Sequence, residues 1–139
     1  MKYIVTLFLL CCAGQLQAEQ FQQIGQYQAH YIVVPTTFIR ADVAQKYGLM
    51  RGKNRALVNV SVLDAKLNPT TAQISGRSTN LLGQPQDLTF KQVTEGPAIY
   101  YLALLRHVDE EHHLIKLDIA LDDGTTGTIE FRQKMYFEE

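Results

Sequence analysis

The chain has 139 residues, 13 Lys and Arg against 14 Asp and Glu, a formal net charge of −1, two cysteines and no tryptophan. Near-neutral charge argues against nucleic acid or an anionic membrane surface as partner. The length suits one domain with its own core.

Met1-Lys2 gives a short positive start, Tyr3 to Cys12 is apolar apart from Thr6, and Leu16-Gln17-Ala18 precedes Glu19. This pattern predicts a secretory signal peptide over residues 1–18, cleaved after Ala18. Its apolar run is shorter than the roughly 20 residues a bilayer span needs. The expected mature chain, residues 19–139, is a single domain of 139 − 18 = 121 residues without a transmembrane segment. Losing Lys2 changes its charge from 13 − 14 to 12 − 14, or −2. Cys11 and Cys12 leave with the signal, so the mature chain has neither disulfide nor thiol.

Glu19 to Ile24 is glutamine-rich and reads as a loose lead-in. Tyr27, Ala29, Tyr31 and Val33 then alternate with polar residues as a half-buried strand, stopped by Pro35. Asp42 to Tyr47 reads as a short helix, with a negative charge in its first turn and Gly48 at the left-handed stop. Arg51, Lys53 and Arg55 alternate, as a small anion-binding patch or, preferably, a solvated strand edge. Leu57 to Leu63 is a strand with Val58, Val60 and Val62 on one face. Asn59-Val60-Ser61 matches a glycosylation acceptor but lies within that strand.

Thr71 to Thr79 follows as a strand, then a turn whose Leu81 and Leu82 are expected to tuck under the end of the fold. Leu88, Phe90 and Gln92 form another strand. Ala98 to Leu105 is apolar on both faces, so it should lie inside a sheet covered on both sides, with the Asp42–Tyr47 helix as outer cover. Arg106 to His112 reads as a charged loop, Ile115 to Leu121 as a strand, and Asp122-Asp123-Gly124 as a hairpin turn. Ile129, Phe131, Gln133 and Met135 line one face of the last strand. The expectation is a mostly β chain: a single immunoglobulin-like antiparallel β-sandwich of about seven strands, with one short helix near residues 41–47.

Val43-Ala44-x-x-Tyr47-Gly48, Asn59-Val60-Ser61-Val62, Asn80-Leu81-Leu82-Gly83, Ala98-Ile99-Tyr100-Tyr101-Leu102-Ala103 and Phe131-x-Gln133-x-Met135-Tyr136 resemble the landmarks of one family. That family, domain of unknown function 4426, consists of small exported bacterial proteins, and the resemblance spans essentially the whole mature chain. It implies a periplasmic protein of a Gram-negative bacterium and carries over no activity, cofactor or catalytic residue.

His107, His112 and His113, with carboxylates between them, form the sharpest constellation, one that suits zinc or copper(II). His30 could add a ligand from the first strand only if the fold brings it near. Ser61, Ser75 or Ser78 could supply a hydrolytic nucleophile if the fold set a histidine and a carboxylate beside one of them. Phosphate loops and dinucleotide fingerprints do not occur, and Asp122-Asp123-Gly124 does not continue as a calcium loop. The leading expectation is a non-enzymatic periplasmic binding or accessory protein, without cofactor, acting through a protein or cell-envelope partner, strand addition included. Metal binding by the histidine loop is the alternative, and a cell-envelope hydrolase comes third.

Overall fold

A computed structural model describes residues 20–138; the expected signal peptide lies outside them. Nine strands build two antiparallel sheets. They are β1 (Gln20–Ile24), β2 (Tyr27–Pro35), β3 (Arg55–Leu63), β4 (Ala72–Asn80), β5 (Pro85–Thr89), β6 (Lys91–Glu95), β7 (Ala98–Arg106), β8 (Glu111–Leu121) and β9 (Thr126–Met135). One sheet runs in the order β1-β2-β3-β7-β6, the other β5-β4-β8-β9. Thr36–Phe38 makes a 3-10 turn, and Ala41–Lys46 is the one α-helix among the described residues, α1.

Period-two patterning drives the sandwich together. Val58, Val60 and Val62 of β3 meet Ile115, Leu117 and Ile119 of β8 and Ile129 of β9 in one core, all nearly without solvent contact. Each such burial stabilises the fold by about 1.5–3 kcal/mol before the entropy of ordering is set against it. Tyr101 ties the layers by a polar contact as well, its hydroxyl accepting the Ala72 amide at 2.9 Å across the core. Outside the first sheet lies a second apolar cluster, where Tyr47 and Leu49 beyond α1 pack on Leu57, Leu102 and Leu104. The outer face of β7 is thus covered in part, by Tyr47 at the end of the expected helix and by Leu49 beyond it rather than by the body of the helix. Leu102 and Leu104 also line an open groove.

Four expectations are corrected. The glutamine-rich lead-in is an edge strand, because Ile24 is buried and Gly25 turns the chain at φ +58° to pair β1 with β2. The Leu88–Gln92 strand is two strands in different sheets, with the chain crossing at Phe90. Leu81 and Leu82 do not tuck in but stand 72% and 83% exposed. The charged loop shrinks to residues 107–110, since Arg106 ends β7 and Glu111, His112 and His113 begin β8.

Candidate functional site

Antiparallel registers bring the landmarks to one pole. Arg55 starts β3 opposite Arg106 at the end of β7; Asn80 ends β4 opposite His113 near the start of β8; Met135 ends β9 opposite Glu111. Gln86 joins the two sheets here, its side-chain amide accepting from the Arg106 N–H at 2.8 Å and donating to the Arg106 carbonyl at 3.0 Å.

The interior turns polar at this pole. His113, 4% exposed, receives the Ser78 hydroxyl on Nδ1 at 2.6 Å and donates from Nε2 to Glu111 at 2.6 Å. A carboxylate can only accept, and this fixes the tautomer. Burial works to raise the Glu111 carboxyl, yet hydrogen bonds from His113, the Val108 amide and Asn80 outweigh it and hold the group below its ordinary range. Asn80 passes the network outward: its Oδ1 accepts the Leu82 and Gln84 amides, building the turn that carries the two exposed leucines. Ser, His and Glu thus stand in a line, but Ser78 is fully buried and no substrate carbonyl can reach its oxygen.

The three loop histidines part company. His112 and His113 are successive strand residues and point to opposite faces. His107 sits in a cavity of about 240 Å³ that Met135, Gln133, Phe38 and Tyr136 also line. Its Nδ1 donates to the Val108 carbonyl at 2.9 Å, which leaves the Nε2 lone pair available. Among the described residues, no three His, Cys, Asp or Glu side chains lie close enough together to hold one ion. His30 is elsewhere, stacked on Phe21.

The basic run also divides. Arg51 donates to the Thr36 and Thr37 carbonyls, and Lys53 lies 5.3 Å from the centre of the Phe137 ring. Of this run, only Arg55 reaches an open groove of about 690 Å³ between β5, Leu102 and Leu104 of β7, and the Leu49–Met50 segment. Thr36, fully buried, fixes the near wall: its hydroxyl accepts the Gly52 amide at 3.0 Å and lies within donating reach of the Gly52 and Arg55 carbonyls. Sequence reading missed this groove because Arg55 and Arg106 meet only through strand register.

A family model described as "Domain of unknown function (DUF4426)" matches residues 21–138. The chain belongs to the DUF4426 family. A crystal structure of a DUF4426 family protein from Pseudomonas aeruginosa resembles it with a TM-score of 0.80 and 29% identity, over 88% of this chain and 98% of that one. FetP of uropathogenic Escherichia coli shares the fold at TM-score 0.61 and 12% identity, over 88% of this chain and 96% of FetP. A copper-bound variant of FetP matches equally well, again at TM-score 0.61 and 12% identity, over 87% and 97% of the two chains. No curated protein matches this DUF4426 chain. Among its described residues, no helix is long and apolar enough to cross a membrane.

Proposed function

We propose that this DUF4426 protein is a non-enzymatic periplasmic binding or accessory module whose protein partner docks on the pole that carries Leu81, Leu82 and Val108. One observation carries the reading. Of the eight large hydrophobic side chains exposed among the described residues, six (Phe38, Met50, Leu81, Leu82, Val108 and Tyr136) belong to this pole or to the groove beside it. Concentrated apolar exposure on an otherwise polar surface marks an interaction site. The buried position of Ser78 supports a non-enzymatic role. The signal-like N-terminus supports export, as does the likeness to FetP, which was produced in the periplasm. A photo-cross-linking residue at Leu82, Val108 or Phe38 should give one discrete adduct in living cells. The same residue at Leu67, in the turn at the opposite end, should give none; an equal adduct there would sink the proposal.

His107 favours a second reading, metal binding. A buried imidazole whose Nδ1–H is held by a carbonyl presents Nε2 as ligands usually do, and Met135, a soft ligand, lines the same cavity. The copper-bound FetP variant has this fold. Native mass spectrometry with copper(I), copper(II) and zinc tests it. Stoichiometric metal lost in His107→Ala supports the reading, and a bare mass with all three ions removes it. His113, both nitrogens engaged, should be dispensable for loading.

A further inference from the structure

We infer that the groove between β5 and the Leu49–Met50 segment receives an extended acidic segment of the partner, with one carboxylate lodged between Arg55 and Arg106. This rests on the partner reading and adds the chemistry of what docks.

Arg55 and Arg106 are register partners on adjacent strands, on the outer face that Leu57 and Leu104 share. Like charges directly opposite one another repel across a sheet, and neither arginine has an ion-pair partner among the described residues. Asp87 also borders the groove, but its carboxylate is engaged by Arg77 at 3.1 Å. Two arginines opposite each other in register and lining one groove suit a carboxylate, which can accept from both guanidinium forks at once. Lys91 adds a third positive charge further along, where its ammonium donates to the Tyr47 carbonyl at 3.1 Å.

The groove also supplies a backbone. β5 is an edge of its sheet, and five residues of edge strand offer roughly 17 Å for an added strand. Leu102 and Leu104 form an apolar floor for alternate side chains of such a segment. The walls are held in advance, one by the Gln86 clasp on Arg106 and the other by Thr36 on Gly52, which lowers the cost of ordering the site on binding. An edge strand over an apolar floor favours a peptide rather than a lipid headgroup.

Amide chemical-shift titration of the mature protein tests this with two blocked hexapeptides, valine alternating with glutamate or with lysine. The glutamate peptide should shift the Gln86 to Thr89 amides and the side-chain signals of both arginines. Its affinity should fall about tenfold or more in the Arg55→Gln/Arg106→Gln variant, and the lysine peptide should leave the groove signals unmoved. Equal binding of both peptides, or no groove shifts at millimolar peptide, overturns the inference. So do phosphatidylglycerol vesicles that move these signals when the glutamate peptide does not. Arg106→Gln alone should keep or raise Tm, because it relieves repulsion. A marked fall would make the pair structural and also overturn the inference. A pole adduct that persists without peptide binding would defeat the acidic segment alone, whereas peptide binding without the adduct would defeat the docking pole alone.

Discussion

At the scale of the residue, His113 shows how a buried polar group is tolerated. An imidazole buried at this end of the core is stable only if both nitrogens are satisfied, and Ser78 from the neighbouring strand β4 and Glu111 from β8 itself satisfy them. Ser78→Ala should therefore cost about 1–3 kcal/mol in urea unfolding, because Nδ1 is left unpaired in the core. The Glu111 carboxyl, held below its ordinary value, makes this network sensitive to pH. A carboxyl depressed by folding contributes stability that is full above its unfolded pKa, about 4.3, and is lost as pH falls through the folded value. Urea midpoints from pH 7 to pH 3 should fall less steeply in Glu111→Gln than in the wild type, starting lower at pH 7. An unchanged slope would place the acid sensitivity elsewhere, Asp123 being the next carboxylate held low.

At the scale of the element, β4 is closely constrained where it runs beside β8. A Cβ at Gly76 would come within 2.8 Å of a Leu117 methyl and 3.1 Å of the Lys116 carbonyl. Leu117 is fully buried and cannot retreat, so Gly76→Ala should lose about 1–3 kcal/mol by overpacking, read as a lowered Tm. Alternation made β2, β3, β8 and β9 legible in the sequence with their inward faces, and the Asp-Asp-Gly turn between β8 and β9 was equally plain. The crossing at Phe90 was hidden because Leu88, Phe90 and Gln92 alternate without a break whichever sheet holds them. Leu81 and Leu82 misled because hydrophobicity predicts burial, whereas the hydrogen bonds of Asn80 dictate where that turn points. The histidine loop suggested a site from proximity in sequence, yet strand alternation sends His112 away from His113. Arg55 and Arg106 stand opposite each other only once β3 and β7 are in register.

At the scale of the whole molecule, the groups that hold the sandwich together and those proposed to meet a partner occupy different places. Tyr101 and its bond to the Ala72 amide lie in the core between the sheets, whereas Leu82 and Val108 project from one pole. Stability and binding should therefore separate under mutation. Leu82→Ser/Val108→Ser removes side chains that folding leaves largely in water, so its urea midpoint should match the wild type within about 0.5 kcal/mol. The adduct formed from a cross-linker at Phe38 should disappear. Tyr101→Phe should do the reverse, stranding a buried amide at a cost of about 1–3 kcal/mol while the adduct persists under conditions where the protein stays folded. Measuring both quantities on both variants checks this: loss of the adduct in proportion to lost stability would mean that binding follows folding in general rather than the exposed pole.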